Sequence, residues 1–344
     1  MPLSDTLRNE AAPLIRHYSQ GLINVDPPSH TRLRQLVQQA FTPRAVRHLS
    51  GSVEAIVDRL LDEVMPRGRM DVIWDFAYPL PVTVIGALMG LPAEDHHRLK
   101  AWSGRIVEFM ATPRPASDVL LGSQAALLEL QDYFRALFRQ RRSEPADDLI
   151  SGLAAAESEG TRLTEEEAVS TCVTILIGGH ETTTNLIASG LLTLIRNADQ
   201  FQRLRDQPEL TASAIEEMLR YEGPFQRNRR IATTDLTLSG QIIRKGDLVM
   251  QMLGAANRDP SHFPDPDRFD ISRSPNRHVA FGYGPHFCLG ASLARMEATI
   301  AFRALAQRLD AVELAEDPVE WTNTVFRGLK RLPITFNSAP TKVH

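Results

Sequence analysis

The sequence predicts a mainly α protein with a small β region, folded as one unit over residues 1–344. Three observations carry this. Apolar residues recur at helical spacing along most of the chain. One uninterrupted pattern runs from Thr164 to about Ile195, long enough for a helix of ~45 Å that crosses a domain. Strand-like signals are sparse, lying mainly in 229–249 and in short pieces near 311–336. No internal repeat or long linker divides the chain.

Taken in order, a short helix is expected around Leu7 to Tyr18. Asp26-Pro27-Pro28 then stops it and presents Ser29 as a cap for a helix from His30 to Ala40. From Pro43 to Val64, Val46, Leu49, Val53, Ile56 and Leu60 line one apolar face, which predicts a single helix. Met70 to Trp74 reads as a short strand. Phe76 to Met89 is mostly apolar, with Pro79 and Pro81 suited to a helix start. Helices at 94–110 and 117–141 flank a proline-bearing linker that should be exposed. Thr164 and Glu167 form a capping box for the long helix. Helices follow at 197–205 and 208–221, then the strands, an irregular stretch at 254–277, and a last long helix from about Leu289 to Leu309.

Composition narrows the function. At 43% hydrophobic and 23% charged, with a formal net charge of −4, the chain is neither disordered nor broadly basic like a nucleic-acid binder. No run of eighteen apolar residues suggests a membrane span, and the first twenty residues lack the layout of a signal peptide, so a cytoplasmic location is expected. Only Cys172 and Cys288 are present, too few for a disulfide framework or an all-cysteine zinc site.

Cys288 stands in Phe281-Gly282-Tyr283-Gly284-Pro285-His286-Phe287-Cys288-Leu289-Gly290, directly before a helix. Glycines let backbone approach a large planar ligand. A cysteine near a helix N-terminus meets free amides that stabilise its thiolate. A thiolate on haem iron pushes electron density to the metal and favours O–O cleavage. The long helix carries Gly178-Gly179-His180-Glu181-Thr182. Each glycine costs a helix about 1 kcal/mol relative to alanine, so the pair asks for a ligand or a close-packing reason. An acid and a hydroxyl beside them suit proton relay.

The cysteine segment resembles the haem-binding signature of bacterial cytochromes P450, and the other motifs follow in that family's order over residues 19–336. The resemblance implies a single-domain P450 fold and a heme b cofactor with Cys288 as the iron ligand. Phe281 and Gly290 frame the cysteine, and Gly178 and Gly179 lie beside the haem. It implies Glu181 and Thr182 as the pair that supports O2 activation. His30, Arg34, Arg230 and His286 are expected on the two propionates, with His278 placed near them. Glu217, Arg220 and Arg268 are expected to form a buried network holding the proximal loops. His180 is expected to be structural or solvent-facing, and Cys172 a small core residue. Thr174, Ile177, Phe225, Gln226, Arg227 and Asn228 are placed at the substrate pocket.

The implied activity is a monooxygenase that hydroxylates or epoxidises a small organic molecule, such as a natural product of secondary metabolism. Oxidative coupling, a peroxide-driven reaction and a non-catalytic haem protein are the alternatives. The chain has no dinucleotide motif or built-in redox domain. Electrons are therefore expected from a ferredoxin or flavodoxin with its NAD(P)H reductase, docking near Arg32, Arg44, Arg47 and Arg295. The chain departs from the family at its start: it begins almost at the His30 helix, without the N-terminal sheet edge and early helices that help roof the pocket. A roof missing there would admit water and release reducing equivalents as peroxide.

Overall fold

The computed structural model describes residues 10–112, 115–158, 160–322 and 326–339. Its helices are α1 (Ala12–Gln20), α2 (Ser29–Ala40), α3 (Pro43–His48), α4 (Ser50–Val64), α5 (Pro79–Met89), α6 (His96–Ala111) and α7 (Ser117–Ser143). They continue with α8 (Leu149–Ala155), α9 (Glu165–Arg196), α10 (Ala198–Asp206), α11 (Thr211–Glu222), α12 (Leu253–Ala256) and α13 (Ala291–Arg308). Apolar residues from Ala11 to Phe336 share one core.

Helix α9 is the axis of the molecule. Thr164 and Glu167 cap it reciprocally as the sequence predicts. It is buried on nearly every side from Ala168 to Leu194, as expected of a central helix. Helices α5, α7, α11 and α13 all pack against it.

The strands are β1 (Arg69–Asp71), β2 (Glu157–Ser158), β3 (Thr161–Arg162), β4 (Asn228–Ile231), β5 (Leu236–Leu238), β6 (Gln241–Ile243), β7 (Leu248–Gln251), β8 (Leu309–Leu314) and β9 (Pro333–Ser338). They form an antiparallel sheet β1-β9-β8 and the pairs β2-β3, β4-β7 and β5-β6. The outer edge of β7 has no strand partner among the described residues, and Leu248 and Met250 on it are exposed.

Several boundaries differ from expectation. Ser29 is the first residue of α2 rather than its cap, because the turn closes earlier, with the His30 amide on the Asp26 carbonyl. The single helix expected at 43–64 breaks at Leu49, whose amide takes a tight bond to Val46 O while the Ser50 hydroxyl takes Arg47 O. Strand β1 stops at Asp71, whose carboxylate accepts from Ile73 N and starts a π-helix over Val72–Ala77. Helix α8 was not expected; Asp148 caps it through Ser151 N. The stretch Val72–Met89 is long and apolar enough to cross a membrane by length and composition, although Asp75 and Thr83 interrupt its apolar run. It is instead mostly buried, with Leu80, Val84, Ile85 and Met89 in the core.

The short helix expected around Leu7 to Tyr18 is α1, which is held against α6 and α7. The Gln124 amide of α7 accepts from Leu14 N and donates to Glu10 O, Gln131 meets His17, and Tyr18 packs on Phe109 of α6. The linker between α6 and α7 is described except at residues 113–114.

Candidate functional site

Cys288 lies between a short 3-10 turn (Gly284–His286) and α13. Its amide donates to Phe281 O at 2.9 Å, which closes the loop around the sulfur. Gly282 and Gly284 have φ of +73° and +77°, which side-chain-bearing residues adopt only with strain, so the turn requires glycine at both positions. Cys288 is exposed at the loop surface, yet neighbouring atoms crowd the thiol enough to raise its pKa. The Gly290 amide, Arg34 and Arg295 oppose that rise, so the polar groups around the sulfur favour thiolate. Cys172, fully buried in α9, is a core residue whose thiol burial pushes up to about 12.

Beside this loop, cationic groups converge. The His30 and His286 rings lie 4.1 Å apart by centroid. Burial lowers the pKa of both; Arg34 depresses each further, and Arg230 also acts on His286. His30 is 2% exposed and its Nε2 has no hydrogen-bond partner. Arg34 and Arg230 have no carboxylate partner among the described residues; the Arg230 side chain donates to the Arg229 carbonyl. An orphaned buried ring nitrogen among uncompensated cations suits a dianionic ligand. The residues present therefore fit the two propionates of a haem whose iron Cys288 would ligate.

His278 is a correction. Its Nε2 is 3.0 Å from Glu216 Oε2 and its Nδ1 accepts from Ala280 N, so neither nitrogen is available to a propionate. Phe281 packs in the same corner, against His278 and Phe287, with the Arg295 guanidinium 4.5 Å above its ring.

On α9 the two glycines have different reasons. A Cβ on Gly179 would come within 2.7 Å of Ile85 Cδ1 in α5, so this glycine serves close helix packing. A Cβ on Gly178 would meet nothing within 4 Å, so that position is open and available to a flat ligand. Thr182 Oγ1 donates to Gly178 O at 2.9 Å, and Glu181 is half-buried with no side-chain hydrogen bond among the described residues. His180, expected to be structural or solvent-facing, is buried, so the solvent-facing alternative falls.

The buried network matches the sequence at Glu217 and Arg220, which are bidentate at 2.7 and 2.8 Å with both side chains fully buried. Arg268 is the second correction: its side chain points out and lies 3.7 Å from Asp270, and only its carbonyl joins the network, accepting from Arg220 and Arg273. The side chain that reaches Glu217 is Arg273, at 3.1 Å, with Asn276 adding a further bond at 3.1 Å. Both fall in the irregular stretch, where periodicity gives no guide; the local signal was a cluster of arginines at 268, 273 and 277.

Among the pocket candidates, Thr174 is half-buried and returns its hydroxyl to Ser170 O, and Ile177 is buried. Phe225 is half-buried against Phe326. Gln226 turns its amide onto Gly223 O and against Gly254, which removes it as a free pocket group. Asn228 bonds its neighbour Arg229 N, and Arg227 is half-buried. Of the arginines expected at a docking face, Arg32 is paired with Glu167 and Arg295 is bidentate to Glu216. Arg47 is exposed with no ion pair among the described residues, and the Arg44 side chain lies outside them.

A thiolate loop, a cationic cradle and a glycine-opened central helix define a haem-thiolate protein. The cytochrome P450 family model matches residues 8–325. The polyketide biosynthesis cytochrome P450 PksS of Bacillus subtilis is 43% identical over 323 residues, covering 93% of this chain and 78% of that protein. The cytochrome P450 monooxygenase PikC of Streptomyces venezuelae is 42% identical over 338 residues, covering 96% and 79%. The structure of P450BioI in complex with an acyl carrier protein ligated to hexadec-9Z-enoic acid aligns with a TM-score of 0.92 at 40% identity, covering 98% of this chain and 86% of that one. The chain belongs to the cytochrome P450 family, and it is a haem-binding monooxygenase of that family.

Proposed function

We propose that this chain is a single P450 unit over residues 1–344 that hydroxylates or epoxidises a small natural product in the cytoplasm. It would use heme b, O2 and electrons from a ferredoxin or flavodoxin served by an NAD(P)H reductase. The observation that carries the reading is the orphaned His30 Nε2 amid Arg34, Arg230 and His286, beside the loop that presents Cys288. Bound haem supplies O2 binding and activation; the chain's own residues supply the rest. Cys288 donates its thiolate, held by the Phe281 carbonyl and the two positive-φ glycines. His30, His286, Arg34 and Arg230 neutralise the propionates and fix the plane of the group. Gly178 keeps its face of α9 open, and Glu181 and Thr182 hold and pass protons there.

The substrate class rests on the relative named for polyketide biosynthesis, together with the neighbour solved in complex with an acyl carrier protein ligated to a fatty acid. Ile177, buried on α9, and Phe225, packed on Phe326, are the apolar side chains that would border the substrate pocket. For electron supply, Arg47 offers positive charge to an acidic partner, whose docking complementary charge would steer.

The test is a reduced-plus-CO difference spectrum of the haem-loaded protein. A Soret band near ~450 nm reports thiolate ligation, and its absence overturns the assignment of Cys288. Turnover of candidate substrates with a ferredoxin system and O2, set against peroxide alone, then separates a monooxygenase from a peroxide-driven enzyme.

A further inference from the structure

We propose that His180 is a positioning residue that latches helix α6 to the Gly178–Thr182 turn through Ser103. It thereby ties the placement of Glu181 and Thr182 to the position of α6. The inference rests on the monooxygenase reading of that turn.

The bonding pattern is directional. His180 Nδ1 lies 2.7 Å from the Leu176 carbonyl, which only accepts, so Nδ1 carries the proton. Burial lowers the His180 pKa, with Glu181 and the Leu176 bond opposing, so the ring is neutral and Nε2 is a bare acceptor. Ser103 Oγ, 3.3 Å from Nε2, must then be the donor. That hydroxyl has one alternative, the Lys100 carbonyl of its own helix at 3.2 Å. Ser103 therefore divides one proton between closing the bond to α9 and returning it to α6.

The surroundings make this contact transmit position. Ser103–His180 is the one side-chain hydrogen bond between α6 and α9 among the described residues. The imidazole meets the Tyr78 ring edge-on at 6.0 Å, and the Lys100 ammonium lies 4.0 and 4.2 Å from the centroids of Trp74 and Tyr78. On the α9 side, His180 and Thr182 each take a carbonyl one turn earlier, at Leu176 and Gly178. Ile85 seated against Gly179 prevents the turn from rolling. A displacement of α6 then either breaks the Ser103 bond or moves the segment that carries Glu181 and Thr182. Close-packed elements pass on such shifts instead of absorbing them.

The test uses haem-loaded Ser103→Ala, Ser103→Thr and His180→Phe, and the double variant Ser103→Ala with His180→Phe. Imidazole is the probe of access to the haem, followed by the rate of its Soret shift in stopped flow. Amide hydrogen exchange is read over peptides covering 176–184. The expected result is an imidazole rate raised about fivefold in Ser103→Ala, the factor carried by a typical net hydrogen bond. Faster exchange at 176–184 should accompany it, although Ser103 lies on the other helix. Ser103→Thr, which keeps the hydroxyl, should restore both, and the double variant should be no faster than either single. If His180→Phe does not fold, the Ser103 pair decides alone. A normal band near ~450 nm in the CO spectrum with unchanged imidazole rate and exchange in Ser103→Ala overturns the latch. Absence of that band in the wild type overturns the haem-thiolate reading and the latch with it.

Discussion

Removing the Glu217 carboxylate should release the haem before it alters any choice of substrate. Glu217 is fully buried and accepts five hydrogen bonds: two from Arg220, one each from Arg273 and Asn276, and one from the Asp270 amide. Glu217→Ala leaves the Arg220 guanidinium buried, with only the carbonyls of Asn257, Pro266 and Arg268 as partners. Breaking a buried pair on one side costs about 3–5 kcal/mol. With an unfolding entropy of about 2.1 cal/mol/K per residue, a loss near 4 kcal/mol over 344 residues lowers Tm by roughly 5–6 °C. The loops that Arg220 and Arg273 hold lead directly into the cysteine segment, so haem retention should fall with stability. Thermal unfolding and the haem-to-protein ratio after gel filtration read both effects. The same assay separates the two arginines: Arg273→Ala should follow Glu217→Ala, whereas Arg268→Ala, an exposed side chain, should change Tm by less than about 1 °C. Soluble Glu217→Ala protein with full haem, a normal CO spectrum and wild-type Tm would refute the reasoning.

Three further outcomes are expected. Gly179→Ala should lower Tm because its methyl meets Ile85, whereas Gly178→Ala should hold or raise the Tm of the apoprotein while weakening haem uptake; equal effects would contradict the division of roles. Glu216, which burial alone would raise, is held down to about 2 by Arg295 and His278, so its contribution is present above the unfolded value of 4.5 and lost as pH falls toward 2. The Tm gap between wild type and Glu216→Gln should therefore shrink between pH 6 and pH 3, and a constant gap would count against it. Glu297 is buried with Oε2 unpartnered, and burial raises its pKa well above 4.5, so wild-type stability is lost as pH rises through the folded value. Glu297→Met should raise Tm, and by more at pH 8 than at pH 5; no gain at either pH would refute it.

Much of the site was legible because its chemistry is contiguous in sequence. Gly282, Gly284 and Cys288 shape one loop, so ten consecutive residues predict the thiolate. His30 and Arg34 are one helical turn apart, and the capping box at Thr164 and Glu167 is satisfied within four residues. The side chains that were misplaced depend on distant partners. His278 is claimed by Glu216 and Arg295 by the same carboxylate, pairings made across a gap of 62 and 79 residues. Arg273 in place of Arg268 was settled by how an irregular stretch folds back beneath α11, where no repeating pattern tells which arginine turns inward.

The sequence by itself determined the helical class and the central helix, and it pointed to Cys288 as the ligand and to the glycine pair on that helix, because local geometry and a short motif suffice for each. Only the tertiary structure decided which glycine opens a face and which admits Ile85, because that depends on how close α5 approaches α9. It also decided that the His180 ring is locked between Leu176 and Ser103, and that Arg32 and Arg295 spend their charge within the fold. A side chain's chemistry is written in the sequence, but its partners are fixed by packing between segments far apart along the chain.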